Sequence, residues 1–252
     1  MLLEGKVAIV TGGGTGLGAR TAELFAREGA KVAIVGRRTR QLEETASTIR
    51  AEGGHALVYP GDLSLEETVE GLVERTAREF GGVDILVNNA GKHSKPHLAH
   101  ETPIQLFDSF IAINLRAPFM LIRAAVPHML RRGGGAIVNI SSIAGAAGIK
   151  YSAAYCTAKG GLVHMTKTIA LDYADKGITV NCICPGGMGG TENREEMTPD
   201  DLTLMAEAIP RPPLGWSPEA AEMAHTVLFL AGPHARHITG AVLNADGGYT
   251  AR

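Results

Sequence analysis

The chain has 252 residues, 45% hydrophobic and 20% charged, with a net charge of −2 at neutral pH. That balance carries no basic excess of the kind that nucleic acid or an anionic membrane surface attracts. No apolar run approaches roughly 18 residues without a polar interruption, so no membrane span is expected.

The strand pattern opens at Lys6, which leaves no room for a signal peptide. KVAIVTG (6–12) reads as a strand and 16–29 as a helix; KVAIVGR (31–37) and a polar helix over 39–52 repeat the unit. HALVYPGD (55–62) is a third strand, followed by a helix over 64–80 in which Ser64 and Glu67 make a capping box. VDILVNNAG (83–91) is the fourth strand. The rhythm continues with a helix over 104–131, strand AIVNISS (136–142), helix 153–174, strand ITVNCICPG (178–186), helix 217–231 and strand AVLNADGG (241–248). Short apolar strands alternating with helices predict an α/β fold, a doubly wound parallel sheet of seven strands covered on both faces. No repeat or linker divides the chain, so residues 1–252 are expected to form one domain. The segment 187–216 breaks the rhythm after a strand's carboxyl end, where active-site lids are found. Its Met188, Met197, Leu202, Leu204, Met205 and Trp216 suggest an apolar cover. Cys156, Cys182 and Cys184 are odd in number and lie in apolar settings, as reduced core thiols of a cytoplasmic protein do. Cys182 and Cys184 are read as facing opposite sides of their strand, poor geometry for a shared metal.

The loop TGGGTGLG (11–18) joins the first strand to the first helix. Gly12 suits a tight turn, Gly16 a close backbone approach to a pyrophosphate, and Gly18 a helix–strand contact, with Thr15 and Leu17 between them. The spacing is G-x-x-x-G-x-G. The second strand ends in Gly36-Arg37-Arg38 with no carboxylate. An acid there would bind the free ribose hydroxyls of NAD, whereas arginine suits a phosphate, so NADP is expected over NAD. Asp62-Leu63 lies where a carboxylate can accept from an adenine amino group. In Asn88-Asn89-Ala90-Gly91, small residues let backbone approach a ribose while the amides tie neighbouring strands together.

Tyr155 and Lys159 lie four apart on one helix face. A free phenol has a pKa of about 10 and is almost never ionised near neutral pH. A nearby ammonium favours the phenolate; lowering the pKa by about three units needs roughly 4 kcal/mol. The pair is expected to hold a phenol poised for proton transfer. Asn114 sits in an apolar helical stretch close to Pro118, a locally unfavourable place for it.

TGGGTGLG, NNAG, Asn114, Ser141-Ser142, YCTAK and Pro185-Gly186 stand in an order and spacing that resemble the single-domain branch of the short-chain dehydrogenase/reductase family, from Lys6 to about Gly248. The resemblance implies a Rossmann-type sheet of order 3-2-1-4-5-6-7 and reversible hydride transfer between a nicotinamide and a small-molecule carbonyl or alcohol. It also implies a homo-oligomer, commonly a tetramer. Tyr155 would be the general acid/base and Lys159 its support. Ser142, 13 residues before Tyr155, would bind the substrate oxygen, leaving Ser141 structural. Asn114 would kink its helix and link to Lys159 through water. Pro185, Gly186 and Met188 would lie against the nicotinamide. The family's usual threonine after Pro-Gly falls at Gly190, with Thr191 next to it. Among functions, a carbonyl reductase or alcohol dehydrogenase stands against a non-catalytic dinucleotide sensor, which has no use for a tuned phenol. A 3-oxoacyl-carrier-protein reductase is a further alternative, with Arg131, Arg132 and Lys176 to receive an acidic carrier. His93, His97 and His100 follow the fourth strand without cysteines beside them. They are read as cleft or surface residues, with no metal expected.

Overall fold

The computed structural model describes residues 1–93, 95–188 and 198–251. Seven short, β-branched runs form β1 (Val7–Thr11), β2 (Lys31–Gly36), β3 (His55–Pro60), β4 (Ile85–Asn88), β5 (Gly135–Ile140), β6 (Ile178–Pro185) and β7 (Val242–Ala245). All pair in parallel in the order β3-β2-β1-β4-β5-β6-β7, the order the resemblance implies. Successive side chains on a strand face opposite sides, and both sides here are apolar. Ala8 and Val10 pack with Leu17, Phe25, Leu42, Ile49 and Val227, so α1 (Gly16–Arg27), α2 (Thr39–Ala51) and α9 (Ala220–Ala231) cover one face. Ile9, Leu86 and Ile137 pack with Val69, Leu72, Leu121, Met129 and Ile169 from α3 (Glu66–Phe80), α5 (Ala117–Arg131) and α7 (Ala153–Tyr173) on the other. The chain leaves β1 for β2 on one side and β4 for β5 on the other. The crevice outside the carboxyl ends of β1 and β4 is where such sheets bind ligands.

Several boundaries differ from the sequence expectation. β4 stops at Asn88 because its pairing with β5 ends there; the amides of Asn89 and Ala90 turn instead to Thr11 Oγ1, each at 2.8 Å. β5 stops at Ile140, so Ser141 and Ser142 lie beyond the strand, and Ser142 caps the short helix α6 (Ile143–Ala146), which sequence reasoning missed. The capping box at Ser64 and Glu67 does not form. The Ser64 amide donates to Asp62 Oδ1 at 2.9 Å, making a turn that delays α3 to Glu66. A helix, α8 (Pro199–Ala208), stands inside the segment expected to form a lid, opened by a capping box between Thr198 and Asp201. Cys182 and Cys184 are two apart on β6 and therefore share a face, contrary to the expected opposition; both are buried and they hydrogen-bond to each other.

The stretch Ile104–Arg131 bears on the expectation of no membrane span. α4 (Ile104–Ile111), a π-helical turn (Ala112–Arg116) and α5 run together as 28 helical residues, long and apolar enough to cross a membrane on composition alone. Its apolar side is spent on the fold, with Phe110, Met120, Leu121, Ala125 and Met129 buried. Pro118 does not break the helix because it follows directly on the π-helical turn, where the regular i→i−4 bonding is already interrupted.

The edge of the sheet opposite the crevice is held by one carboxylate. Asp84, 5% exposed, accepts from Arg132 Nε and Nη2 at 3.1 and 3.0 Å and from the Val7 amide at 2.9 Å. Asp84→Ala strands a guanidinium and a buried amide and is expected to cost about 3–5 kcal/mol. At roughly 2–4 °C per kcal/mol for a chain of this size, a Tm lower by about 6–20 °C is the expected melting result. A loss under about 2 °C would show the cluster to be ornamental.

Candidate active site

The first turn of the crevice is made of glycines because nothing else fits. The amides of Gly12 and Gly13 both reach Val35 O, and Gly12 and Gly16 adopt positive φ of 65° and 52°. A Cβ on Gly18 would run into the Gly12 carbonyl oxygen and lie 2.5 Å from Asn89 Nδ2. α1 therefore begins hard against β1, with no side-chain cap and no acidic residue in its first turn. Uncapped amides at a helix start form an anion site. Leu17 is buried in the core, so only its backbone faces the crevice. Arg38 Nη2 donates to Thr15 Oγ1 at 3.2 Å, which brings a guanidinium over the glycine turn, and Arg37 is exposed beside it. Asp62 is held below the usual carboxylate range chiefly by the Ser64 amide, and Arg37 adds to the effect. Leu63 is core rather than lining, packed among the α3 side chains. Asn89 Nδ2 donates to Thr11 O at 2.8 Å, and Asn88 Nδ2 donates to Asn139 Oδ1 at 2.8 Å, so both amides tie strands, as expected. These residues fit a dinucleotide: a backbone cradle that a Cβ would fill, a bare helix start and two arginines.

Beyond Gly91 the crevice meets α7. A Cβ on Gly91 would lie 2.9 Å from Asn114 Oδ1 and 3.5 Å from Lys159 Nζ, so both groups stand over this glycine. Asn114 is fully buried in the π-helical turn. Its Oδ1 accepts from the Lys92 amide at 3.0 Å and its Nδ2 donates to Lys92 O at 3.1 Å, fixing the loop that leaves β4. Lys159 is 4% exposed and donates to Ile140 O at 2.8 Å, and its own carbonyl accepts from Ser141 Oγ at 3.0 Å. Burial drives its pKa down to about 8. Tyr155, half-buried one turn away, holds its ring 5.8 Å from that ammonium and hydrogen-bonds to Ser142. Asn114, Ser142, Tyr155 and Lys159 are thus gathered at one place, where the sheet's carboxyl edge meets the glycine cradle. In this cleft burial pushes the phenol's pKa up, with Ser142 acting against it. The Lys159 ammonium points to the Ile140 carbonyl rather than to the phenol, so the lowered pKa expected from the sequence is not a property of these side chains alone.

A family profile described as "Enoyl-(Acyl carrier protein) reductase" matches residues 12–250. The 2-(R)-hydroxypropyl-CoM dehydrogenase of Xanthobacter autotrophicus is 39% identical over 250 residues, covering 98% of this chain and 99% of that one. A 2,5-dichloro-2,5-cyclohexadiene-1,4-diol dehydrogenase of Sphingobium indicum is 38% identical over 248 residues, covering 98% and 97%. The crystal structure of levodione reductase superposes with a TM-score of 0.93 at 32% identity, over 99% of each chain. The chain belongs to the short-chain dehydrogenase/reductase family. It is an oxidoreductase of a family whose members use NAD(P) and act on alcohols and carbonyls.

Within this short-chain dehydrogenase/reductase the carboxyl end of β6 adds Pro185 and Gly186. The Gly186 amide donates to Ala245 O at 3.1 Å, and Met188 packs partly into the core. Gly189, Gly190, Thr191 and Met197 lie outside the described residues, and with them the expected threonine contact. α8 is pinned across the cleft by ion pairs from Glu207 to Lys150 and from Asp201 to Lys95, at 2.6 and 3.7 Å. Ala208 and Ile209 pack on Ile143, Ala144 and Ile149 of the α6 region, whereas Leu202 and Trp216 stay exposed.

Two neighbours of Tyr155 gave only weak signals in the sequence. His93 stacks against it with ring centroids 4.6 Å apart and sets Nε2 3.3 Å from the phenol oxygen. Crowding in the cleft and the Lys159 charge lower its pKa to about 4, leaving the ring neutral at pH 7. Tyr151 has φ of 61°, a strained value for a side-chain-bearing residue, and its carbonyl accepts from the His97 amide at 2.9 Å. The two residues line a shallow, open side pocket against Tyr155, together with Leu106 and Phe110 among others. His100 lies farther out, beside Glu101. Among the described residues no three ligand-type side chains gather as a metal site.

Proposed function

We propose that this protein is an NADP(H)-preferring reductase/dehydrogenase that interconverts a small-molecule ketone and its secondary alcohol, with Tyr155 as general acid/base. The observation that carries the reading is the Tyr155 hydroxyl, bonded to Ser142 with Lys159 one helical turn away, at the open end of the glycine cradle. When bound, the nicotinamide gives or takes the hydride. In the reducing direction Ser142 Oγ holds the substrate oxygen and Tyr155 gives that oxygen its proton; in the oxidising direction the phenolate takes it back. Lys159 keeps positive charge near the phenol, and Asn114, whose amide is spent on Lys92, holds the π-helical turn above it. Gly12, Thr15, Gly16, Leu17 and Gly18 receive the pyrophosphate largely through backbone amides, and Asp62 the adenine. Asn89, Ala90 and Gly91 border the ribose, and Pro185, Gly186 and Met188 the nicotinamide. A panel of ketones followed by NADPH absorbance tests this. A protein that binds NADPH but turns over none of them would overturn it in favour of a dinucleotide sensor.

NADP preference rests on Arg37 and Arg38 beside the turn, with no carboxylate at the end of β2. A hydrogen bond to a charged group is worth about 1.5–3 kcal/mol. Arg38→Asp is therefore expected to lower kcat/KM for NADPH by about 10- to 100-fold and to leave NADH far less affected. A wild-type preference for NADH would defeat this reading.

The three basic residues read as a dock for an acyl carrier are each engaged within the chain. Arg132 is taken up by Asp84, Arg131 by His128 Nδ1 and Lys176 by Asp175. We further read residues 1–252 as one domain with 187–216 as its lid, a cytoplasmic homo-oligomer and by resemblance a tetramer. Exposed Phe119 and Leu171, and the open edge of β7, support that assembly.

A further inference from the structure

Tyr155 and His93 present two polar atoms, 3.3 Å apart, to the same cleft, and His93 is exposed to it. The imidazole is not free to wander. Its face lies against the phenol ring at an interplanar angle of 40°, and Lys92 just before it is fixed by both its amide and its carbonyl to Asn114. Its Nδ1 makes no hydrogen bond among the described residues, so ring position rather than a protein partner at that nitrogen sets its direction. The side pocket on the other flank of Tyr155 offers apolar surface from Leu106, Phe110 and Ala154 beside the polar His97, Thr102, Tyr151 and Ser152.

Resting on the oxidoreductase reading above, we propose that His93 is a second anchor for substrate oxygen and that the substrates are vicinal: a diol oxidised to an α-hydroxyketone, or the reverse. A hydrogen-bonded oxygen sits roughly 3 Å from each partner atom. Two such bonds running side by side from atoms 3.3 Å apart fit oxygens on adjacent carbons. Oxygens across a ring from each other are too far apart for both. The spectator oxygen stays a hydroxyl throughout, able to donate and to accept, so either neutral imidazole tautomer can hold it. The hydride leaves the carbinol carbon for the oxidised nicotinamide. The hydroxyl proton goes to Tyr155, and the C–O bond becomes the ketone with no other reactant consumed.

The test pairs cyclohexane-1,2-diol (cis and trans) with cyclohexanol, using the NADP-loaded protein. It compares kcat/KM and Kd for wild type, His93→Phe and His93→Gln. The extra hydrogen bond, which the monoalcohol cannot make, gives the wild type a preference of about three- to tenfold for one diol isomer. The Phe variant should lose most of that ratio and the Gln variant, which can still donate and accept, should keep much of it. A ratio within twofold of wild type in the Phe variant overturns the proposal, however the absolute rates move, because an effect exerted only through Tyr155 cancels between the two alcohols. If the Phe variant does not fold, His93→Ala is read in its place. A wild type that binds the diols no more tightly than cyclohexanol overturns the proposal by itself. Tighter binding of a diol with turnover of neither alcohol would uphold the anchor and strike the redox reading instead.

Discussion

Tyr155→Phe is expected to lower turnover about a thousandfold or more while the fold and dinucleotide binding survive. General acid–base catalysis by one positioned side chain is worth about 10²–10⁴ in rate. Phenylalanine keeps the ring that packs against His93 and, edge-on at 6.0 Å, against Phe110. What disappears is the oxygen that bonds Ser142 and approaches His93. Stability should therefore change by no more than about 1 kcal/mol, the usual worth of one hydrogen bond. The two directions of reaction should also part with pH. Because burial raises the phenol above its ordinary value of 10, the acid form persists through neutral pH, and reduction by the wild type should be flat across that range. Oxidation needs the phenolate and should climb with pH, about tenfold per unit, until the positive nicotinamide and Lys159 bring the group to its holoenzyme pKa. Steady-state rates in both directions from pH 6 to 10, with dinucleotide titrated by fluorescence, check this. Near-normal turnover by the Phe variant would remove Tyr155 from the chemistry.

The parts legible in the sequence were those that repeat a local rule. Alternating apolar runs and helices define β1 to β7 because a parallel sheet demands apolar residues on both faces, and this one is filled by Ala8 and Val10 on one side and Ile9 on the other. The glycines of the first turn were legible because backbone geometry at Gly12 and Gly18 excludes side chains. Tyr155 and Lys159 were legible because four residues on a helix always share a face. What escaped depends on which segments meet in space. His93 reaches Tyr155 only because Asn114 fixes Lys92 from across a helix, and no local pattern encodes that. Ser142 looked like a strand terminus, and it became a helix cap because β5 ends its pairing with β6 two residues earlier, at Ile140. The opposition expected of Cys182 and Cys184 fails on a strand's period of two, which puts alternate residues on the same face. The partner of Lys159 was the most consequential miss. A carbonyl at the end of β5 holds the ammonium, and no local pattern signals that the charge is wholly buried.

That burial makes Lys159→Met the second decisive variant. The amine has a pKa of about 8 in the fold, against about 10.5 in the unfolded chain, with burial as the largest cause. Below pH 8 both states carry the proton and the fold bears the full cost of enclosing a charge. Between about 8 and 10.5 the unfolded chain binds a proton that the folded chain has given up, so stability rises with pH. At ~1.36 kcal/mol per unit, the rise attributable to this one group is on the order of 3 kcal/mol. The difference in unfolding free energy between wild type and variant should grow by that amount from pH 7.5 to 10.5, because methionine removes the titration and leaves other groups to cancel. Loss of the bond to Ile140 O shifts the whole curve without changing its slope. Activity should fall about a hundredfold or more in the same variant, since nothing then holds positive charge beside the phenol. Denaturant melts at a series of pH values, paired with steady-state rates, separate the two effects. A pH-independent stability difference would mean that the amine titrates in the fold as it does in water. A variant that melts differently yet turns over normally would make Lys159 a structural residue. The expected pairing, a stability cost at working pH beside a catalytic gain, is the signature of a charge kept in an unfavourable place for the sake of the group next to it.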